Sequence, residues 1–290
     1  HRSFSPAKLR SSCPGLRKND SRRDTLYFCD RFYSLTMFER YIGIDYSGAK
    51  APVSRLKTLQ VYAATPADAP RHIAVPSAAA HNWCRKDLAA WCIRELMSDA
   101  RCIMGIDHGF SFPLSYMQRH AIKTWPQFLD HFAALWPTDR DHMYVDFVRE
   151  NDPPSGTANE YRVCEKWTSS AKSVFQFDMQ GSVAKSTHAG LVWLRRMRRH
   201  PGLLERVHFW PFDGFDIPED KSVVVEAYPS LVRRRYPSED RSADEQDAYA
   251  VAMWLKQMDV RGVLRQYLNP PLTLPERRAA ELEGWIIGVY

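Results

Sequence analysis

Two apolar segments of the sequence end in the same three residues, Gly-Ile-Asp, so each places a carboxylate directly after a hydrophobic run. Asp45 ends the segment YIGID, and Asp107 ends the segment MGID. A third apolar run, VVV, is followed by Glu226. Ligands bind at the carboxyl ends of the strands in an open α/β sheet. The three acids are therefore candidates for one site.

Two further acids, Asp244 and Asp247, are three residues apart in a segment with a helical pattern, which places them on one helix face. One strand-terminal Asp is more often a turn or capping residue, so only the joint pattern favours a site. Carboxylates from separate elements repel one another unless a cation lies between them. We expect Asp45, Asp107, Glu226 and Asp247 to be catalytic and to bind metal, with Asp244 as a further ligand.

Oxygen ligands without a His or Cys cluster select Mg²⁺ or Mn²⁺ over zinc. Two such ions, about 3.5–4 Å apart, would activate a water and stabilise the leaving oxygen of a phosphodiester. The chemistry expected from these residues is therefore metal-dependent hydrolysis of a phosphodiester bond.

The elements that must position these acids alternate between strand and helix patterns. Runs of β-branched and aromatic residues predict strands, and apolar residues at helical intervals predict helices. The predicted strands are 41–46, 58–64, near 71–75, 101–107, 207–210 and 222–227, and the predicted helices are 82–98, 127–136, 160–167, 184–199 and 243–258. Ser242 and Glu245 form a capping box at the start of the last helix. This order predicts a mixed α/β fold.

Residues 37–290 fit a single domain with a largely helical insertion at about 110–200. Residues 1–36 differ from the rest, because they lack apolar periodicity and are rich in Ser and Arg. They carry eight basic and three acidic side chains, which is most of the net charge of +6. We interpret them as sequence upstream of a natural start at Met37, as a disordered basic arm, or as a transit peptide.

Compartment is indicated by the apolar runs and the cysteines. The longest apolar run, 248–255, is far shorter than the 18 or so residues of a membrane span. Outside the leader the cysteines are Cys84, Cys92, Cys102 and Cys164, at wide and irregular intervals that disfavour a zinc site. The sequence predicts a cytoplasmic protein with no membrane segment and with reduced thiols.

A set of motifs, taken in order over about residues 41–258, resembles the ribonuclease H-like predicted nucleases of domain-of-unknown-function family 429. The motifs are Gly43-Ile44-Asp45, Gly105-Ile106-Asp107, Arg162-Val163-Cys164-Glu165, Val225-Glu226-Ala227-Tyr228-Pro229 and Asp244-Glu245-Gln246-Asp247-Ala248. The resemblance implies a ribonuclease H-like mixed sheet flanked by helices, with metal held by acids from the first strand, the fourth strand and the last helix. It makes Asp45 and Asp107 the strand ligands, Glu226 the acid of a Glu-x-x-Pro-like motif, and Asp247 the helix acid.

The chain departs from the family pattern in two places. A proline that usually follows the second Asp closely is delayed to Pro113, behind His108. His108 is either a proton donor to the leaving group or a loop histidine. The fourth residue of the Arg-x-Cys-Asp-like motif is Glu165, which leaves Arg162 to contact a phosphate or to hold an acid in place.

Basic residues near the acids suggest a nucleic-acid partner. Arg233 and Arg234, shortly after Glu226, are expected to bind substrate together with Arg162 and His108. A second basic cluster, 195–200, either holds phosphates or complements a helix dipole. Trp125, Trp136 and Trp167 either stack on bases or, more commonly for such positions, belong to the core.

Two other functions are compatible with these residues. Gly43-Ile44-Asp45-x-x-Gly48 also resembles the first phosphate loop of ATP-dependent phosphotransferases of the actin and sugar-kinase type. The chain has no second Asp-x-Gly-Thr loop of that superfamily. The remaining alternative is a non-catalytic relic that binds nucleic acid.

Overall fold

A six-stranded mixed sheet forms the centre of the molecule. The computed structural model describes residues 36–77, 80–168 and 170–290. The strands, in chain order, are β1 (Arg40–Asp45), β2 (Gln60–Ala64), β3 (Arg71–His72), β4 (Cys102–Asp107), β5 (Val207–Phe209) and β6 (Ser222–Glu226). Their order across the sheet is β3-β2-β1-β4-β6-β5. The first three strands pair antiparallel, and β1, β4, β6 and β5 are parallel neighbours.

Helices flank this sheet, so the predicted mixed α/β class is confirmed. They are α1 (Arg85–Leu96), α2 (Leu114–Arg119), α3 (Trp125–Leu135), α4 (Val145–Arg149), α5 (Val163–Trp167), α6 (Ala184–Arg198), α7 (Ala243–Val260), α8 (Leu264–Tyr267) and α9 (Leu274–Glu283). Two 3₁₀ turns, Pro229–Leu231 and Arg233–Arg235, follow β6. Helices α2 to α6 all lie between β4 and β5, in the region predicted as a helical insertion. Four of these helices were not predicted from the sequence patterns: α2, α4, α8 and α9.

The sheet is buried on both faces. Ile42 and Met104 belong to the core beneath α1 and α6, whereas Tyr41 and Ile103, one residue earlier in each strand, face the core around α7. This alternation follows from the two-residue repeat of a strand. Asp45 lies four residues after Tyr41, an even number, so its side chain leaves the sheet on the same side, toward α7.

Helix α7 packs directly on the backbone of β1 and β4 because both strands have glycine at the contact. Gly43 and Gly105 are register partners. A Cβ atom at Gly43 would lie 2.1 Å from the carbonyl oxygen of Ala248 and 2.7 Å from the amide nitrogen of Ala252. Only glycine allows such an approach. The contact brings the start of α7 to the carboxyl ends of the strands.

Both ends of α7 are fixed by hydrogen bonds. At the start, the Ser242 N–H donates to the Glu245 carboxylate and the Glu245 N–H donates to the Ser242 hydroxyl, which confirms the predicted capping box. Near the end, the Asp259 carboxylate accepts from the N–H groups of Met37 and Phe38 and from the Tyr41 hydroxyl. The helix is therefore held in register along β1.

The structure addresses only some of the sequence predictions about compartment. Among the described helices, none is both long and apolar enough to cross a membrane. Cys84, Cys92, Cys102 and Cys164 are all free and buried. The three interpretations of residues 1–36 concern a segment that, except for Thr36, lies outside the described residues.

We expect Gly43→Ala to lower the free energy of unfolding by about 1–3 kcal/mol or more, because the new methyl group would overlap backbone atoms of α7. Gly105→Ala is the matched comparison, since the nearest atoms to its Cβ, Cγ1 of Val251 at 2.7 Å first, all belong to side chains and not to the backbone. Urea denaturation of both variants measures the difference. A smaller loss at Gly43 than at Gly105 would contradict the backbone contact.

Candidate active site

Four aspartates meet where β1 and β4 end. Asp45 and Asp107 are register partners, so their carboxyl groups leave the sheet on the same face. Asp45 is within hydrogen-bonding reach of Asp107 and Asp244, and the charge of Asp247 acts on both strand aspartates. We call Asp45, Asp107, Asp244 and Asp247 the aspartate cluster. The structure thus brings together four of the five acids singled out from the sequence.

The environment of the cluster opposes full ionisation. Burial is the largest cause that raises the pKa of Asp45, followed by the charges of Asp107, Asp244 and Asp247. Burial also raises the pKa of Asp107, and the charge of Asp247 adds to it. Like charges in a desolvated site cannot all ionise, so the pair retains a proton that an exposed aspartate would release. Groups perturbed in this way are concentrated at functional sites.

The donor chemistry of the cluster suits a hard divalent cation. In the part of the chain that the structure describes, no three His, Cys, Asp or Glu side chains are arranged to hold a metal ion. Mg²⁺, however, is commonly bound through only one or two carboxylates, with water as its other ligands. Asp45 and Asp107 supply such a pair, and a cation would take the place of the proton they retain. The expected second ion stays a prediction.

Glu226, the fifth acid, is held by an arginine. Both of its carboxylate oxygens accept from Arg162, with N–O distances of 2.6 and 2.7 Å, and one of them also accepts from the Phe110 N–H. Strand register accounts for its separation from the cluster, because Glu226 pairs with Ile106 rather than with Asp107. Its side chain therefore starts from the other face of the sheet, although its charge still acts on Asp107. A role for Glu226 as a metal ligand stays a prediction.

Arg162 is the centre of a buried ionic network. Its Nε donates to Glu165 at 2.9 Å, its Nη1 also donates to the carbonyl of Glu283, and its side chain is 1% exposed. The Glu283 carboxylate accepts in turn from the N–H groups of Leu114 and Val163. The sequence left two roles open for Arg162: to contact a phosphate or to hold an acid in place. Its contacts in the structure are those of the second role.

Glu283 and the residues after it were missed by sequence reasoning. The Ile287 N–H donates to the carbonyl of Glu226 at 2.9 Å, and Ile286 forms a bridge with Glu226. The C-terminal segment thereby lies beside the end of β6, where β5 has already ended. Glu283 has no motif around it, so only its acidic character after an amphipathic segment could have drawn attention to it.

His108 packs in the core and does not line the cluster. Its side chain is 2% exposed, its Nδ1 bonds the carbonyl of Gly109 at 2.9 Å, and its ring lies against Gly190 of α6. Burial lowers the pKa of His108 to about 4, so the imidazole is neutral near neutral pH. A neutral, enclosed imidazole does not favour the proton-donor role. The loop-histidine alternative fits this geometry.

The loop that follows Asp45 is fixed by a buried arginine that the sequence did not mark. Arg85 of α1 donates to the carbonyl oxygens of Ser47, Ala49 and Lys50 at 2.7–3.1 Å. A phosphate loop presents N–H groups to its ligand. In this loop the carbonyl groups face a guanidinium instead, and the loop supports the position of Asp45.

Arg233 and Arg234 border the aspartate cluster. They lie in the 3₁₀ turn after β6, and they line an open pocket of about 400 Å³ whose wall also includes Asp247 and the first residues of α7. Arg233 approaches Asp247 at 3.3 Å, and both Arg233 and Arg234 are exposed. These two predicted substrate-binding residues are therefore beside the acids and accessible.

On the other side of Asp107 lies a small cavity of about 30 Å³, lined in part by Glu226, Lys172 and Tyr228. Its volume is about that of one water molecule in the liquid. Lys172, to which no sequence pattern drew attention, lines this cavity while its ammonium donates to the carbonyl of Gln180.

The second basic cluster is occupied by ion pairs. Arg195 and Arg199 both pair with Asp130, and Arg198 pairs with Asp213. These contacts favour the structural interpretation of residues 195–200. Two of the three tryptophans considered for base stacking, Trp125 and Trp136, are buried in the core, as expected, and Trp167 is 41% exposed.

Searches against protein-family models, curated proteins and solved structures found no match to this chain. The site must therefore be interpreted from its own geometry.

We expect Arg162→Met to lower the free energy of unfolding by about 3–5 kcal/mol, because it leaves buried carboxylates without their cation. Lys86→Met is the control, since Lys86 forms an exposed ion pair with Asp141 at 2.8 Å; its loss costs about 0–1 kcal/mol. Chemical denaturation compares the two. Similar losses would show that the Arg162 network contributes no more than a surface pair.

The raised pKa of Asp45 and Asp107 predicts a pH dependence of stability. Unfolding releases protons that the native pair retains, so the free energy of unfolding falls as the pH rises from about 4 to about 10, the higher of the two native pKa values. Asn at position 45 removes one of the repelling charges. In EDTA, we expect Asp45→Asn to melt higher than wild type at the upper end of this range and to lose this advantage at the lower end. A constant difference across the range would contradict the pKa shifts.

Proposed function

We propose that the chain is a ribonuclease H-like nuclease that hydrolyses phosphodiester bonds with Mg²⁺ or Mn²⁺ at the aspartate cluster. The observation that carries this proposal is the meeting of Asp45, which is buried, with Asp107 and Asp247, which are partly buried, in one site. These acids come from β1, β4 and α7; the family resemblance implies the first strand, the fourth strand and the last helix, and α7 is followed by the shorter helices α8 and α9.

The strand order supports the ribonuclease H-like assignment. An antiparallel set of three strands leads from β1, and the chain then adds parallel strands on the other side of β1. Helix α7 covers the face on which the aspartates emerge. The acids that we propose to bind metal therefore adjoin the basic pocket that we propose to bind phosphate, since Asp247 belongs to both.

The residues have distinct tasks in this proposal. Asp45 and Asp107 bind the cation, and Asp247 orients it or a water from the helix side. The cation, when bound, supplies positive charge that favours deprotonation of water and offsets charge on the phosphate. Arg162 keeps Glu226 next to Asp107, and Arg233 and Arg234 attract the phosphate backbone of a nucleic acid.

The hydrolytic proposal has more support than the phosphotransferase alternative. Residues 36–290 form one compact unit, whereas enzymes of the actin and sugar-kinase type bind ATP between two lobes. Arg85 also engages the carbonyl groups of the loop that would have to cradle phosphates. A cytoplasmic location fits nucleic-acid processing and is part of the proposal.

The test is a panel of labelled DNA and RNA substrates, single- and double-stranded, incubated with Mn²⁺. We expect wild type to cleave at least one of them, and Asp45→Asn and Asp107→Asn to lose cleavage by about a hundredfold or more, because each removes a ligand charge from the cation.

Asp220→Asn is the matched control, since Asp220 is exposed and lies in a loop before β6. It should cleave as wild type does. Full activity in either cluster variant would overturn the proposal. Absence of cleavage by wild type on every substrate would favour the non-catalytic alternative.

A further inference from the structure

The pocket beside Asp247 has the size and the wall of a ligand site. Its volume of about 400 Å³ lies within the usual range of small-molecule sites. The lining side chains include three arginines and one aspartate: Arg233, Arg234, Arg241 and Asp247. Net positive charge in a concave surface attracts anions.

The three arginines differ in how many of their guanidinium donors are already used in contacts within the protein. Arg241 donates to Gln246, Glu239 and the carbonyl of Pro237, and its guanidinium lies 3.7 Å from the ring centre of Tyr249. These contacts make Arg241 a fixed part of the wall, and its charge is already balanced by Glu239.

Arg233 and Arg234 keep most of their donors available. Arg233 makes only long contacts with Asp247, at 3.3 and 3.5 Å, whereas Arg162 reaches Glu226 at 2.6 Å. Within the described ranges Arg234 has no hydrogen bond or ion pair from its side chain. A guanidinium with free donors matches the geometry of a phosphate group.

The pocket also adjoins the aspartate cluster. Asp247 belongs to both, because it lines the pocket and its charge acts on Asp107. Asp247 lines the pocket, Glu239 pairs with Arg241, and Glu245 is used in the capping box; Asp240 and Asp244 flank lining residues in the sequence. Of the three pocket arginines, Arg234 is the one that forms no ion pair with the described residues.

We infer that this pocket binds a phosphate of a nucleic-acid strand next to the phosphate at the aspartate cluster, with Arg233 and Arg234 as its ligands. The inference rests on the proposed nuclease function for the identity of the strand. The concave shape of the pocket suits a flexible single strand, whose phosphates can enter one at a time.

The experiment measures binding without cleavage. Fluorescence anisotropy follows a labelled 12-nucleotide single-stranded DNA on the full chain in EDTA, over a series of salt concentrations. We expect Arg233→Gln combined with Arg234→Gln to weaken binding by about tenfold or more. The slope of log affinity against log salt should decrease in magnitude by about 0.7 for each arginine removed.

Arg94→Gln is the matched control, because Arg94 is an exposed arginine in α1, on the other face of the sheet. It should change neither the affinity nor the slope. Because both pocket arginines are exposed, thermal melting should show that the variants keep their fold.

Three results would overturn the inference: no binding by wild type at low salt, unchanged binding by the double variant, or an equal loss in Arg94→Gln. Inorganic phosphate serves as a second probe in calorimetry; if it binds at Arg233 and Arg234 while the strand does not, the ligand is a small anion and the inference is wrong. Because no metal is present, failure here leaves the nuclease test unaffected. Absence of Mn²⁺-dependent cleavage would likewise leave the binding result standing.

Discussion

The direct contact of α7 with the backbone of β1 is the constraint on which the site depends. Gly43 removes the side chain that would otherwise separate the helix from the strand, and the carbonyl of Ala248 occupies that space. The capping box then starts the helix one turn before Asp247, close to the end of β1. Packing energy in the core is thus what holds carboxylates together against their repulsion, as expected of a site whose geometry is stabilised elsewhere.

Charge is arranged in three layers around this point. Arg162 pairs with both Glu226 and Glu165 in the interior, where an unpaired carboxylate would be costly. The aspartate cluster lies at the edge of the sheet with too little positive charge of its own. Arg233 and Arg234 lie at the surface, and nearby carboxylates balance only part of their positive charge. We propose that a cation binds where positive charge is lacking at the edge of the sheet, and that a phosphate binds where it is in excess at the surface.

Much of the framework could be predicted because it is encoded locally. The Gly-Ile-Asp endings mark strands by their own composition, and Ser242 and Glu245 mark the start of α7 within one turn. The partner of Glu226 could not be derived in the same way, since Arg162 is 64 residues away in sequence and only the fold brings them together. The role of His108 was likewise open in the sequence, because only the fold shows that Gly190 makes room for its ring and encloses it. Helix α9 was missed although Thr273 and Glu276 form a capping box at its start, a local signal that the sequence reasoning overlooked.

The most direct test of the central claim is Mn²⁺ binding to the folded chain, measured by calorimetry together with thermal melting and without any substrate. If the aspartate cluster binds a cation, Mn²⁺ at millimolar or lower concentration should bind to wild type, release protons and raise its melting temperature. Asp45→Asn should lose all three effects. Wild type that neither binds Mn²⁺ nor gains stability from it would contradict a metal site at the aspartate cluster.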